Sequence, residues 1–291
     1  MPAVKLVNTK ELTKEQWLEV RKSGVTGSRI AAIMGKNPYE TPLSVYCTMK
    51  GLVGEKEQTE AMYFGTALED FVAKEFAERT GLQVDVEPYM LQHPTYEFML
   101  ANIDRVVTME GRKGILECKN VSAYQWDVWK VNAPEMYQYQ LQWYLGITGY
   151  EFGFLAALVG GQRFVFHMYE RNDELIKEMQ QIATDFWFNH IMEDIQPDIT
   201  SEDGNLLSEL YSDSQPGVIA ELPKEKLWLI EQVKRTKIMS DDATSEYKKA
   251  QNEIKSIMGS SETLHCDGEV VATWKANKNG VRSFKVAGVK E

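Results

Sequence analysis

Two apolar runs, Phe98–Val107 and Gly114–Lys119, are separated by a charged, glycine-containing stretch, Met109-Glu110-Gly111-Arg112-Lys113. An interruption of this kind predicts two strands joined by a hairpin turn over 109–114. A hairpin constrains more than local structure, because its register decides which side chains share a face. Alternation puts Glu117 and Lys119 on one face and points Cys118 into the packing. Asp104, thirteen positions before Glu117, then falls beside it across the hairpin. Two carboxylates and an ammonium converge on one sheet face. Oxygen ligands of that kind suit Mg²⁺ or Mn²⁺, and a lysine beside such an ion can hold or polarise a water. A charged solvent face carrying a surface ion pair would use the same residues. The spacing alone does not separate the two readings.

Composition narrows the field. A chain of 291 residues holds one large domain or a core plus an appendage. The first twelve residues lack the continuous apolar core of a secretory signal. The longest apolar run, Phe152–Val159, is too short to span a bilayer. Three scattered cysteines, Cys47, Cys118 and Cys266, fit a reduced cytoplasm rather than a disulfide framework or a four-cysteine metal site. The four histidines show no zinc-type spacing. The expectation is a cytoplasmic protein with no membrane partner. The net charge of −11 weighs against a nucleic-acid partner, since non-specific binding comes mostly from cations on phosphates. An acidic chain can still hold DNA where basic residues line one channel and divalent metal screens the rest.

Along the chain, Thr13-Lys14-Glu15-Gln16 is a capping-box signature that opens a helix bearing Trp17 and Arg21. The small-residue loop Ser23-Gly24-Val25-Thr26-Gly27-Ser28 leads into a second helix. Exposed N–H groups and hydroxyls there could cradle a phosphate, with Arg21 adding a guanidinium fork. An ordinary helix–loop–helix with Ser28 as a cap explains the loop equally. One long helix is predicted over 58–80, with Gly81 as its C-terminal cap. Glu69 lies at the edge of its apolar stripe. A buried carboxylate there needs a partner, either a basic side chain or a metal ion. A strand over Leu82–Glu87 ends at Pro88. Pro134 starts a helix over Glu135–Ile147, with Gln140 and Tyr144 one turn apart on one face. These two could reach DNA phosphate or a metal-bound water, or merely pack. Gly160-Gly161 joins two strands, Glu151–Val159 and Arg163–Glu170. A helix over 174–195, stopped by Pro197, completes a sheet with helices on both sides.

Beyond residue 200 the pattern changes. Residues 201–221 read as a polar linker. Residues 222–291 read as an appendage: one long charged helix or a helix pair to Met258, then a hairpin of Thr263–Trp274 and Val281–Val286. It is too small to bury a full core alone.

The order Trp17-x-x-x-Arg21, Gly24-Val25-Thr26-Gly27-Ser28, Phe64-Gly65-Thr66-Ala67-Leu68-Glu69, Ile103-Asp104, Leu116-Glu117-Cys118-Lys119 and Pro134…Tyr137-x-x-Gln140-x-Gln142 closely resembles the lambda-exonuclease, or YqaJ-like viral recombinase, family of phage and prophage nucleases. Gln140-x-x-x-Tyr144 also looks like the Gln-x-x-x-Tyr motif of RecB-type nucleases. The resemblance covers residues 13–195. It implies an α/β, restriction-endonuclease-like core, residues 1–200, with a central mixed sheet flanked by helices. It implies Asp104, Glu117, Glu69 and the Cys118 carbonyl as metal ligands, with Mg²⁺ as cofactor and Mn²⁺ as an alternative. Lys119 matches the lysine that orients or activates water, Gln140 the glutamine beside the nucleophile, and Arg21 and Ser28 a 5′-phosphate pocket. Tyr144 joins the DNA-binding set. The implied activity is 5′ to 3′ digestion of one strand at double-stranded DNA ends. The product is a 3′ single strand for an annealing protein of the RecT/Beta type, made by a homo-oligomeric ring such as a trimer. An endonuclease of the same fold and a non-catalytic DNA-end adaptor are the competing expectations. Two departures stand out: Asn102-Ile103 before Asp104, in place of a small residue or proline, and the appendage, which lies outside the minimal domain.

Overall fold

The computed structural model describes residues 2–54, 58–213, 216–217 and 219–288. The chain divides into two compact units, 1–214 and 215–291. In the first unit the elements run in order β1 (Val4–Asn8), α1 (Lys14–Lys22), β2 (Val25–Thr26), α2 (Gly27–Ile33), α3 (Pro42–Met49), α4 (Glu60–Ala67) and α5 (Glu69–Thr80). Then come β3 (Gln83–Val86), β4 (Tyr89–Gln92), β5 (Met99–Ala101), β6 (Arg105–Met109) and β7 (Arg112–Val121). A short α6 (Trp126–Trp129) and α7 (Glu135–Thr148) precede β8 (Phe152–Val159), β9 (Arg163–Glu170), α8 (Asp173–Asp185) and α9 (Gly204–Leu210). The wider turns of a π-helix extend α8 through Phe186–Met192.

The central sheet has the order β3-β6-β7-β8-β9, with β7 and β8 parallel and the other pairs antiparallel. It is the expected mixed sheet. Alternation on β7 sends Leu116 and Cys118 to one face, where they meet Val72, Ala73 and Phe76 of α5. Ile115 goes to the other face and joins Leu141 and Leu145 of α7 and Met179 of α8. Helices therefore cover both faces. A four-stranded sheet, β1-β4-β5-β2, adjoins this core. Its parallel β2–β5 pair, Val25↔Met99 and Thr26↔Leu100, brings the small-residue loop next to Asn102–Asp104. The Trp143 indole N–H of α7 donates to the Leu100 carbonyl (3.0 Å), tying that sheet to the helix.

Several boundaries differ from the sequence expectations. The expected strand Phe98–Val107 is two strands, because the chain leaves one sheet after Ala101 and enters the other at Arg105. The expected turn over 109–114 contracts to Glu110 and Gly111, both at positive φ (52° and 77°), as a two-residue hairpin requires. The long helix over 58–80 is interrupted at Leu68, which ends α4 and starts α5. Glu69 is thus the first residue of a helix rather than part of a continuous stripe. Pro88 marks the passage from β3 to β4 between the two sheets. Ser28 is not a cap, since Thr26 occupies that position.

In the stretch read as a linker, Asp203 is buried and α9 follows it. The Asp203 carboxylate accepts from the Thr41 hydroxyl and from the Thr200 N–H and hydroxyl (2.6 and 2.8 Å). Ser214 of that stretch lies outside the described residues.

In the second unit, α10 (Trp228–Met258) is followed by β10 (Thr263–Cys266), β11 (Glu269–Ala276) and β12 (Arg282–Val286), an antiparallel sheet. The expected single strand over 263–274 is two strands with a turn at Asp267-Gly268. Met258, Ala272 and Phe284 form its small core. Among the described residues, no helix is long and apolar enough to cross a membrane.

Burial pushes the Asp203 carboxyl up, but its hydrogen bonds outweigh burial and hold it below the ordinary aspartate range. Asp203→Ala should therefore cost about 2 kcal/mol in urea unfolding at neutral pH. Because the folded value is depressed, this contribution is complete above about pH 5 and is lost as pH falls below about 4. The stability gap between the two chains should close over that range.

Candidate active site

β7 supplies Glu117 and Lys119 on the face that α7 covers. The β6–β7 register ends at Arg105↔Leu116, so the next residues, Asp104 and Glu117, stand opposite one another. With no strand continuing past Arg105 on that edge, the Cys118 N–H donates to Asp104 Oδ2 (2.8 Å). Lys119 Nζ donates to Glu117 Oε1 (2.7 Å) and to Gln140 Oε1 (3.2 Å), and it lies over the Tyr137 ring. The Gln140 amide nitrogen donates to Glu117 Oε1 (2.6 Å) and the Tyr144 hydroxyl (3.0 Å). One glutamine of α7 thus ties carboxylate, lysine and phenol together.

A pocket of about 190 Å³ opens on this network. Its lining joins Asp104, Glu117, Gln140 and Tyr144 to Arg21, Thr26 and Ser28. Arg21 Nη2 donates to Ser28 Oγ (3.0 Å), Ser28 Oγ is 3.1 Å from Thr26 Oγ1, and the guanidinium stacks on Trp17. The loop that carries these groups is shaped from beneath by buried Arg29, which donates to the carbonyls of Arg21 (2.6 Å) and Gly24 (3.3 Å). A Cβ on Gly27 would stand 2.3 Å from Cε1 of Tyr144, so α2 reaches α7 only with glycine there.

Glu69 also faces the cluster, but its nearest partner is basic. Arg105 Nη1 donates to Glu69 Oε1 (2.5 Å), and Nη2 donates to Asp70. The sequence assigns no site role to Arg105 or Asn102, and it presents Thr26 only as part of the small-residue loop and Trp17 and Tyr137 only as motif positions. A cation at the head of the otherwise apolar run Arg105-Val106-Val107 is the signal that could have found Arg105.

The electrostatics are those of crowded acids. Burial, then Glu117 and Glu69, push the Asp104 carboxyl well above its ordinary range. Burial likewise raises Glu117, against the pull of Lys119. Burial opposes the charge on Lys119, but Glu117 and Asp104 outweigh it and keep the lysine protonated beyond its ordinary value. Burial raises the Cys118 thiol, so the Sγ is no thiolate here.

Among the described residues no three acidic, His or Cys side chains form a ready cation cage. The donor set nevertheless fits a hard divalent ion. Glu117 Oε2 is buried with no hydrogen-bond partner, an arrangement costly to leave unmet. Asp104 and Glu117 supply carboxylate oxygens and Cys118 a carbonyl, the ligand types such ions take. Glu69 would join through Oε2, or through Oε1 by leaving Arg105.

A family model for the YqaJ-like viral recombinase domain matches residues 16–151. The uncharacterized protein YqaJ of Bacillus subtilis (strain 168) is 36% identical over 276 residues, covering 93% of this chain and 86% of that protein. Among solved structures, the alkaline exonuclease LHK-Exo of Laribacter hongkongensis is similar at a TM-score of 0.51 and 24% identity, over 62% of this chain and 94% of that one. Its complex with dAMP matches equally. The first unit accordingly has the restriction-endonuclease-like fold.

Three carboxylates that feel one another oppose folding when no divalent ion is bound. Asp104→Asn keeps an oxygen for the Cys118 N–H and removes one charge. In chelator-treated protein it should raise unfolding stability by about 1 kcal/mol, read by thermal or urea denaturation.

Proposed function

Since the chain belongs to the YqaJ-like viral recombinase family, we propose that it is a divalent-metal-dependent deoxyribonuclease of a phage-type recombination system. It digests one strand of linear duplex DNA from the 5′ end. One observation carries this reading: a single pocket is lined both by Asp104, Glu117 and Gln140, the latter two bound to Lys119, and by the Arg21–Ser28 pair. The first has the chemistry to cleave a phosphodiester and the second to hold a terminal phosphate.

Mg²⁺, or Mn²⁺ in its place, would be held by Asp104, Glu117, the Cys118 carbonyl and Glu69. Bound there, the ion supplies a more acidic water and neutralises charge developing on phosphate oxygens. The chain's own groups do the rest. Lys119, held charged by Glu117 and Asp104, is a fixed cation for the attacking water and the phosphate. Gln140 keeps Glu117 Oε1 and Lys119 in register, which leaves Oε2 for the ion. Tyr144, whose hydroxyl burial keeps protonated, closes the pocket between the two halves. Arg21 and Ser28 receive the 5′-phosphate, and Trp17 backs the guanidinium.

The acidic balance of the chain, −11 overall, fits a DNA enzyme whose contact surface is local and screened by the bound ion. The 3′ single strand left behind would pass to an annealing protein of the RecT/Beta type. A homo-oligomeric ring would keep the enzyme on its duplex.

The experiment is digestion of end-labelled linear duplex with Mg²⁺, beside closed circles. Early release of 5′-labelled mononucleotides with circles spared is the expected result. Internal cuts in circles would favour an endonuclease, and no cleavage with Mg²⁺ or Mn²⁺ would favour an adaptor. Lys119→Ala should lower the rate by about a hundredfold or more, and full activity in that variant would refute its role. Arg21→Ala should slow digestion of 5′-phosphorylated ends by about tenfold, the loss of one charge-assisted hydrogen bond, with a smaller effect on 5′-hydroxyl ends. Equal losses on both would remove the phosphate pocket from the account.

A further inference from the structure

Arg105 sits directly behind the acidic cluster with only 8% of its side chain exposed. Nη1 donates both to Glu69 Oε1 (2.5 Å) and to the Asp104 carbonyl oxygen, while Nη2 donates to Asp70 Oδ1. Glu69, Asp70, Asp104 and Arg105 line one pocket of about 270 Å³. Asn102 and Asp104 line this pocket and also the one that holds Glu117 and Gln140. Through Glu69 and the Asp104 carbonyl the guanidinium therefore touches the same group of carboxylates that a divalent ion would join.

Two cations cannot both have full use of one carboxylate. In the metal-free chain Arg105 neutralises Glu69 as Lys119 neutralises Glu117. Neither lysine nor arginine needs to leave the protein when an ion arrives, but the two differ in what they would give up. Lys119 holds Glu117 through Oε1 and leaves Oε2 without a partner. Arg105 holds Glu69 as one of three acceptors, and the other two, Asp70 and the Asp104 carbonyl, stay in place if Glu69 turns away. Asp70 is exposed (92%), so its pairing with Arg105 carries little desolvation cost.

We propose that Arg105 is a positioning residue that holds Glu69 in the metal-free chain and yields it to an incoming divalent cation, while Asp70 and the Asp104 carbonyl keep the guanidinium in place. This rests on the metal-site reading above. The exchange keeps Glu69 from standing as an uncompensated charge before the ion binds, and it sets metal affinity by competition.

The test is Mn²⁺ binding to the full chain without DNA, by isothermal titration, for wild type, Arg105→Gln, Glu69→Gln and the double variant. Release of the competitor should make Arg105→Gln bind about fivefold tighter than wild type, the worth of a partly exposed ion pair. In the Glu69→Gln background the same change should bring a clearly smaller gain. Weaker or unchanged binding by Arg105→Gln would overturn the inference and make the guanidinium a simple brace for Glu69. An equal gain in both backgrounds would also overturn it, since general charge repulsion would then suffice. Wild type that binds no Mn²⁺ would remove the metal-site reading itself. Should Arg105→Gln fail to fold, wild-type protein still decides the matter by nitrogen-15 NMR of its arginine side chains. Exchange of the Arg105 guanidinium protons should quicken on saturation with Mg²⁺, and exchange unchanged by Mg²⁺ would count against the proposal.

Discussion

Like charges gathered away from water repel strongly, and the first unit is built around three carboxylates that feel one another, Asp104, Glu117 and Glu69. Each has been given a different compensation. Glu117 has Lys119 and the Gln140 amide, Glu69 has Arg105, and Asp104 has the N–H of Cys118. These contacts dictate much of the surrounding architecture. The central sheet must stop its β6–β7 pairing at Arg105 so that a backbone N–H remains for Asp104. α7 must lie across β7 so that Gln140 reaches down. α5 must begin at Glu69 rather than continue from α4. Even so, the site is satisfied only in part by its own protein, since Glu117 Oε2 stays buried without a partner.

The sequence exposes the parts of this site that follow from local periodicity. Alternation along β7 is enough to place Glu117 and Lys119 together and Cys118 behind them, and the hairpin brings Asp104 across. Helical spacing is enough to put Gln140 and Tyr144 on one face. Other features depend on pairings distant in sequence, for which the local residues carry no mark. β1 is short and mostly exposed, and nothing in Val4–Asn8 announces that its partner is β4, more than eighty residues away. β2 is two residues long and becomes a strand only because β5 lies beside it. The interruption at Leu68 is invisible to an apolar stripe that runs past it on both sides. Arg105 is the instructive case. A basic residue next to an expected metal ligand looks like an electrostatic mistake until Glu69 and Asp70 arrive from another element to meet it.

The second unit follows a different balance. α10 runs for 31 residues, yet of these only Met258 is buried, against Ala272 and Phe284 of a three-stranded sheet. Arg282 ties this end together, stacking on Trp274 and donating to the carbonyls of Gly259 (2.8 Å) and Ser261. Order here is concentrated where helix and hairpin meet. In the first unit, by contrast, it is spread through two apolar layers either side of a sheet.

Gly27 has a consequence of its own. Its Cα face rests on the Tyr144 ring with no room for a methyl group, so the separation of α2 from α7 is set by hard contact rather than by an adjustable side chain. Arg21 and Ser28 are fixed relative to one of these helices, Gln140 and through it Glu117 to the other. The interval across the pocket is therefore a gauge of fixed length.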